Sequence, residues 1–418
     1  MAGTSCGPAF SGAWPYDFKS KEGIVSLVFD SGQNNNPGTH VLAIGVGRYP
    51  HLLRGDGRLA VKPLGLKQLD SPPVSVRALS EWFLAPVTQS NSVGFINSAA
   101  PIATLHALAS ASESVTLATP NGPVALEAAT RSNIDAAFAS WLRCLKRNDG
   151  NVGVFYFCGH GLMLSDHYLL AEDFGGNDLQ PWAAAFDISS TIRAVEREVK
   201  GALYFFLDAC REVSQEIALS AGANPSALMA ADLKLKVSRS SLTRISATGE
   251  GQLAFAEAGG HVSRFTKALI QSLSGFAGIK AAGQAAWEVD GETLASAIRK
   301  ILEYDWEKTK DGKGTQLQLS EQIIHGRAVP LIRLNFSPKV AVEVTYSPET
   351  KRALYELYLQ SAAMRVAQTQ LDKPFEVDVP MGIYSVGAVD PAGILEADVR
   401  PNEDLRPPRY NVVLGTPS

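Results

Sequence analysis

The sequence is poor in cysteine, with only Cys6, Cys144, Cys158 and Cys210 among its 418 residues. Thiols this sparse cannot build the disulfide framework of a small secreted domain. They fit a reducing compartment, so we expect a cytoplasmic protein in which each cysteine serves packing or chemistry. No apolar run approaches the roughly 18 to 20 residues needed to cross a bilayer. The first residues have no basic segment followed by an apolar one, so we expect neither a membrane span nor a signal peptide.

An excess of positive charge is also missing. The chain has 38 basic and 42 acidic side chains, which gives a formal net charge of −4. Nucleic-acid binding depends on clustered, excess Lys and Arg, so we expect no nucleic-acid partner. The histidines show no metal-ligand spacing, so we expect no metal and no required cofactor. Calcium dependence is not indicated by the sequence and stays open.

What the sequence does have is an alternation of apolar strands and amphipathic helices between residues 40 and 333. Its strongest predicted strands are HVLAIGVGRY (40–49), VGVFYFCGHG (152–161), GALYFFLDAC (201–210) and SLTRISATG (241–249), with a weaker one at 102–108. Helices are predicted in between, among them one that starts at a Ser132 cap and one over 186–200, and the segment around TPNGP is predicted as a loop. This alternation is typical of an α/β domain with a mostly parallel central sheet.

The two ends of the chain have a different texture. Residues 1–39 are rich in Gly, Ser, Asn and Pro and are predicted as an N-terminal arm, with a short strand in GIVSLVF. Beyond residue 333 the apolar residues alternate with period two between Pro and Gly turns, which predicts a small antiparallel β-sandwich over 334–418. The segment YELYLQSAAMRVAQTQ fits either a short helix or a pair of strands.

His160 and Cys210 are the candidate reactive residues, because each follows a strongly apolar strand. Reactive groups in parallel sheets lie at the carboxyl ends of strands, so neighbouring strands would bring the two together. An imidazole within hydrogen-bond reach is the usual base that converts a cysteine into a nucleophilic thiolate. The backbone N–H groups of Gly161 and Cys210 could both donate to a developing oxyanion, an interaction worth about 3 to 4 kcal/mol per donor in other hydrolases. Cys158 and Cys144 are predicted to be packing residues.

The segments HVLAIGVGRY, YFCGHG, YFFLDACRE and ATGEGQLAFAEAGGHVSRFTKALIQSL resemble the caspase-like cysteine peptidases, which include caspases, metacaspases and their bacterial relatives. The likeness covers roughly residues 40–305, and Cys210 follows His160 by 50 residues, about the spacing in that family. The resemblance implies a three-layer α/β sandwich, with Cys210 as the nucleophile, His160 as the acid/base and the Gly161 and Cys210 amides as the oxyanion hole.

The resemblance also implies a substrate class. Asp208 stands where animal caspases have a glutamine that helps bind an aspartate side chain, so an acid here should favour substrates with Arg first and Lys second, as in metacaspases. A second pocket acid is expected, with Asp173 preferred over Asp166 and Asp70, and Ala247 is expected to line the substrate site. Two positions depart from the family pattern: Glu212 replaces a glycine, and Val74 and Ser75 replace an Asn-Asp pair.

The resemblance further suggests a zymogen activated by cleavage in a linker over 211–245, which contains Lys234, Lys236, Arg239 and Arg244. The expected partners are protein substrates and an activating protease or regulatory protein, in a stress, cell-death or antiviral pathway. Two alternatives stay open. One is a non-catalytic scaffold that uses the fold for protein contacts, and the other is a thiol-dependent acyl transferase or hydrolase on the same architecture.

Overall fold

A computed structural model describes most of the chain. It covers residues 26–32, 36–86, 94–163, 166–209, 224–232, 241–248, 260–280, 286–309, 317–371, 373–390, 392, 396–407 and 409–415.

The N-terminal three-quarters of the described chain alternates between strands and helices. The strands are β1 (Leu27–Asp30), β2 (Thr39–Val46), β3 (Ile102–Ser110), β4 (Thr116–Thr119), β5 (Gly122–Ala125), β6 (Val152–Gly159), β7 (Gly161–Met163), β8 (His167–Leu170), β9 (Ala185–Asp187), β10 (Ala202–Ala209), β11 (Leu242–Ser246), β12 (Trp287–Val289), β13 (Glu321–His325) and β14 (Ile332–Leu334). The helices are α1 (Ser71–Leu84), α2 (Arg131–Leu145), α3 (Ile188–Glu198), α4 (Arg264–Gln271), which continues into a π-helical turn at Ser272–Phe276, and α5 (Gly291–Thr309).

Seven of these strands form the central sheet, in the order β1-β3-β2-β6-β10-β11-β13. The five inner strands run parallel, and only the edge strands β1 and β13 are antiparallel to their neighbours. Strands β2, β6 and β10 are buried along their whole length, as their continuous apolar runs predicted. Strand β1 comes from the segment predicted as an arm, and it pairs with β3 at one edge of the sheet.

Helices cover both faces of the sheet and make three layers. Alternate strand residues point to opposite faces, so Tyr156 and Phe206 pack in one core with α1, α4 and α5, while Phe157 and Phe205 pack in the other with α2 and α3. The predicted α/β class with a mostly parallel sheet is confirmed.

The C-terminal segment is a β-sandwich with its own core. Its strands are β15 (Lys339–Ser347), β16 (Glu356–Gln360), β17 (Arg365–Ala367), β18 (Phe375–Pro380), β19 (Gly382–Val389), β20 (Glu396–Leu405) and β21 (Arg409–Gly415), and a 3₁₀ turn spans Glu349–Leu354. They form two sheets, β18-β15-β21 and β17-β16-β19-β20, around residues such as Val342, Leu359 and Val386. The segment left open between a helix and two strands is a pair of strands, β16 and β17.

The sandwich is not wholly antiparallel, because β15 and β21 pair in parallel. That pairing joins the first and last strands of the unit, so it depends on the chain returning to its start. A local alternation pattern cannot reveal such a contact between distant segments.

Three local predictions were wrong, each for a reason of capping or pairing. The cap of α2 is Thr130 rather than Ser132, since the Thr130 hydroxyl accepts from the Asn133 N–H at 3.3 Å. Helix α3 begins at Ile188 rather than 186, because Asp187 caps it by accepting from the Ser190 N–H at 2.8 Å. The segment around TPNGP is a hairpin, β4–β5, rather than a loop.

Within the described ranges, no helix is both long enough and apolar enough to span a membrane.

Candidate active site

The site is built where two central strands end side by side. Strands β6 and β10 are parallel neighbours, and their register pairs Asp208 with Cys158 and Ala209 with Gly159. His160 follows Gly159 in the sequence, and Cys210 follows Ala209. Cys210 itself lies outside the described residues, whereas its predicted partner His160 is described and buried.

The imidazole of His160 is held by a main-chain carbonyl. Its Nε2 lies 2.6 Å from the carbonyl oxygen of Lys67. A carbonyl can only accept, so Nε2 carries the ring proton and Nδ1 keeps the lone pair of a neutral imidazole. The arrangement therefore leaves Nδ1 as the nitrogen that can take a proton from another group.

Tyr49 holds His160 a second time. The His160 backbone N–H donates to the Tyr49 hydroxyl at 2.9 Å, and the two rings lie 4.8 Å apart between centroids. The Tyr49 hydroxyl is also 3.4 Å from the Leu170 carbonyl, to which it donates. These contacts fix both the main chain and the ring of His160.

Burial lowers the pKa of His160 to about 4, although the hydrogen bond to the Lys67 carbonyl acts in the opposite direction. The imidazole is therefore neutral at pH 7. A neutral imidazole can accept a proton, which is what a general base requires.

Asp208 lies just before the end of β10 and is 4% exposed. Its carboxylate accepts hydrogen bonds from the hydroxyls of Ser263 and Thr266, the latter at 2.8 Å, and from the Cys158 thiol. Burial raises the pKa of Asp208 in spite of these donors. No Lys, Arg or His among the described residues forms an ion pair with it.

The two described cysteines are buried thiols. Burial, followed by the nearby charge of Asp208, raises the pKa of Cys158 well above its ordinary value. Burial likewise raises the pKa of Cys144, on α2. Both thiols stay protonated at neutral pH and are poor nucleophiles.

Gly161 and Ala247 lie beyond the ends of β6 and β11, the two strands on either side of β10. Gly161 opens β7 and is buried opposite Leu169 of β8. Ala247 follows β11, where its N–H donates to the Leu207 carbonyl at 2.8 Å, and its side chain is fully buried. Next to it, the Thr248 hydroxyl donates to the Ala209 carbonyl at 3.4 Å, so this turn supports the end of β10.

The candidate second acids are engaged elsewhere in the structure. Asp173 accepts from the Arg131 N–H at 2.8 Å at the start of α2. Asp166 forms an ion pair with Arg193 at 3.1 Å, and Asp70 is an exposed residue at the N-terminus of α1. The structure places His160, Asp208 and Ala247 at the carboxyl-terminal ends of three adjacent strands of the central sheet. Asp173 and Asp166 instead contact residues of helices α2 and α3.

Several residues of the site were not predicted from the sequence. Ser263 and Thr266 form a Ser-x-x-Thr pattern at the start of α4, which is a capping signal that could have been recognised. Ser75 belongs to the same cluster, since its hydroxyl accepts from the Ser263 N–H at 3.0 Å. The role of the Lys67 carbonyl had no sequence signal, because every residue has a main-chain carbonyl.

An acid beside Asp173 was also missed. Glu172 is buried and accepts from the Ser110 hydroxyl at 2.9 Å and from the guanidinium of Arg48. Arg48 also binds Asp56 at 2.8 Å. The cluster lies at the carboxyl ends of β2 and β3, beside an open cavity of about 430 Å³ whose wall includes Gln68 and Asp70.

The candidate cleavage sites of the linker are only partly described. Lys234, Lys236 and Arg239 lie outside the described residues. Arg244 lies inside β11, between β10 and β13, so cutting after it would require the sheet to open. The described segment 224–232 is attached to α3, since the Leu228 N–H donates to the Thr191 hydroxyl at 3.0 Å. Among the described residues, no group of three or more His, Cys, Asp or Glu side chains could hold a metal ion.

Comparison with known proteins matches this part of the chain to one family. Residues 91–322, more than half of the chain, match the family model described as the caspase domain. An uncharacterized protein, y4kE from Sinorhizobium fredii, is 32% identical over 304 residues, which are 69% of this chain and 84% of that protein.

Solved structures with some likeness include two caspases. Caspase-1 from Spodoptera frugiperda is 10% identical, with a TM-score of 0.40 over 72% of this chain and 92% of that one. A structure of pro-sf-caspase-1 is also 10% identical, with a TM-score of 0.35 over 70% of this chain and 92% of that one.

Proposed function

The chain belongs to the caspase-domain family, and from this membership we propose that it is a cysteine endopeptidase with Cys210 as nucleophile and His160 as acid/base. The observation that carries the proposal is the register of β6 and β10, which pairs Gly159 with Ala209. Consecutive Cα atoms are about 3.8 Å apart. His160 and Cys210 each follow one member of this pair in the sequence, so each is joined by one peptide bond to a residue of the pair. Of these two residues, His160 is buried and neutral.

The proposed reaction proceeds through a thioester. Nδ1 of His160 takes the thiol proton of Cys210, and the thiolate attacks the substrate carbonyl. The imidazolium then returns the proton to the leaving amine as the C–N bond breaks. Water, deprotonated by the same imidazole, hydrolyses the thioester and restores the thiol. The N–H groups of Gly161 and Cys210 are proposed to stabilise the oxyanion at both stages.

We further propose that the enzyme prefers Arg, and then Lys, before the cleaved bond, through Asp208. Its carboxylate is buried, accepts from hydroxyls and a thiol, and has no ion pair among the residues that the structure describes. A buried charge without a counter-charge is costly, and a substrate guanidinium or ammonium would supply one. A substrate aspartate would instead add a second negative charge beside the first.

The test compares fluorogenic peptides that differ only in Arg, Lys, Ala or Asp before the cleaved bond. We expect cleavage after Arg to be fastest in the wild type and to be lost in Cys210→Ala and His160→Ala. Cys144→Ser, which alters a buried thiol on α2, is the matched control and should keep full activity. Asp208→Asn should lower kcat/KM for the Arg peptide at least 100-fold while circular dichroism shows an intact fold.

The outcomes separate the proposals. Failure of an arginyl acyloxymethylketone to label Cys210 in folded protein would favour the scaffold alternative. Labelling without peptide cleavage would indicate another thiol-dependent reaction, and a preference for Asp would contradict only the role of Asp208. The intact masses of wild type and Cys210→Ala show whether any cut within 211–240 is made by the enzyme itself.

A further inference from the structure

Two contacts that hold His160 come from segments that are adjacent in space. The Lys67 carbonyl binds the ring, and the Tyr49 hydroxyl binds the His160 backbone N–H. Tyr49 lies just after β2, and Lys67 lies in the loop before α1. The distance between these two anchors determines where the imidazole sits.

The side-chain amide of Gln68 joins the two anchors. Its Oε1 accepts from the Tyr49 N–H at 2.7 Å, and its Nε2 donates to the Tyr49 carbonyl at 2.9 Å and to the Leu53 carbonyl at 3.2 Å. One oxygen and both amide hydrogens are therefore used within the segment 49–53. Gln68 also follows Lys67 directly in the sequence. It therefore connects Lys67, whose carbonyl contacts the imidazole, to Tyr49, whose hydroxyl contacts the His160 backbone N–H.

We propose that Gln68 is a positioning residue for catalysis, because its amide fixes the Lys67 carbonyl relative to Tyr49 and so fixes the orientation of the His160 imidazole. The inference rests on the proposed function, since it concerns the histidine of the same dyad. Gln68 does not touch the reacting atoms, and it acts through Lys67 and Tyr49.

Main-chain bonds alone hold the same two segments less completely. The Leu53 N–H donates to the Leu66 carbonyl at 3.0 Å, and the Leu69 N–H donates to the Gly47 carbonyl at 2.9 Å. These bonds flank the Lys67–Gln68 peptide on either side. An isolated parallel bridge also pairs Lys67 with Leu53. We expect that, without the amide, these main-chain contacts let the peptide tilt and so weaken the 2.6 Å contact to Nε2. A misplacement of about 1 Å in a catalytic group can reduce the rate about 100-fold.

The kinetic test uses Gln68→Ala and Gln68→Glu in the full chain. Glu keeps the shape and the acceptor of Gln but loses both donors, so both variants should lower kcat about 10- to 100-fold with KM within about twofold. The matched control is Asn151→Ala. Asn151 is a buried amide at the opposite end of β6 that bridges the Gly38 N–H at 2.9 Å and the Cys144 carbonyl at 3.0 Å.

Asn151→Ala should lower the melting temperature at least as much as the Gln68 variants while keeping kcat within about twofold. If Gln68→Glu has the wild-type kcat, the two donors are not needed and the inference is wrong. If Asn151→Ala loses as much kcat as Gln68→Ala, the effect is one of general stability, and the inference is also wrong.

A spectroscopic test does not depend on turnover. In a Cys210→Ala background with ¹⁵N-labelled histidine, the Nε2–H proton of His160, identified by its loss in His160→Ala, should give a downfield signal protected from exchange. We expect Gln68→Ala to abolish this signal and Asn151→Ala to retain it. Persistence of the signal in Gln68→Ala overturns the inference whatever the activity of the enzyme. An inactive wild type that shows this Gln68 dependence would instead contradict the proposed function alone.

Discussion

At the scale of single residues, the proton on His160 leads to a pH prediction. Burial lowers the pKa of this imidazole to about 4, so it is neutral over most of the working range. The acidic limb of kcat/KM reports the ionisation of the free enzyme. We expect that limb, measured with an Arg peptide, to have its midpoint nearer to pH 4 than to the ordinary histidine value of about 6.5.

The control for this prediction is the pH dependence of folding stability. Burial also lowers the pKa values of His40 and His106 to about 4. Below about pH 6.5 the unfolded chain binds more protons than the folded one, so stability falls as the pH falls toward 4. Circular dichroism at each pH separates unfolding from titration. A reversible limb near pH 6.5 in folded protein, present also with the Ala peptide, whose side chain does not need the Asp208 charge, would contradict the environment described for His160.

Individual residues of the site could be predicted from the sequence to the extent that they carry distinctive chemistry. His160 and Asp208 stood out because each is a polar residue at the end of an apolar strand. The partners of His160 did not, since the Lys67 contact is a main-chain carbonyl that depends on how a loop folds back. The candidate acid Asp173 was chosen for its type and position, and its carboxylate lies at the start of α2.

At the scale of elements, the residue that caps α4 also binds a residue of the candidate site. The Ser263 hydroxyl accepts from the Thr266 N–H at 3.0 Å as the cap of α4 and also donates to the Asp208 carboxylate. Removing it takes away a cap, worth about 1 kcal/mol, and a donor to a buried acid, worth about 1 to 2 kcal/mol. We expect Ser263→Ala to lower the free energy of unfolding by about 2 to 3 kcal/mol in urea and to reduce Arg-peptide cleavage.

Thr130→Ala is the matched control for that variant. Thr130 caps α2 through the Asn133 N–H at 3.3 Å and makes no contact with Asp208 among its described hydrogen bonds. It should lose only the cap, about 1 kcal/mol, and keep its activity. Equal losses of stability and activity in the two variants would show that the bond between Ser263 and Asp208 contributes nothing.

Elements with a strong, continuous pattern were the ones that sequence could place. Strands β2, β6 and β10 are buried on both faces, so their apolar runs were unambiguous. Strand β20 was not foreseen, because its sequence EADVRPNEDL is mostly polar and contains a proline. It is held by pairing with β19, with register shifts along the way, and that pairing is a property of the sheet rather than of the strand.

At the scale of the whole molecule, helix α5 is where the caspase domain meets the C-terminal sandwich. Lys308 of α5 forms ion pairs with Glu343 of β15 at 3.3 Å and with Glu376 of β18. Tyr304, one turn earlier, donates to Glu343, and the guanidinium of Arg409 lies 3.4 Å from the centre of its ring. The two units are therefore joined by charged and aromatic groups on one face of a single helix.

This junction predicts a salt-dependent attachment of the sandwich. Burial alone would lower the pKa of Lys308, but Glu376, Tyr304 and Glu343 raise it overall, so the side chain is charged at neutral pH. Glu343 is 14% exposed and Lys308 39%, so screening weakens but does not abolish the pair. We expect Lys308→Met to destabilise the junction by about 1 kcal/mol and to flatten the dependence of melting temperature on salt. Lys351→Met, at an exposed lysine of the sandwich, should change neither, and calorimetry of both variants between low and high salt would contradict the prediction if their curves coincide.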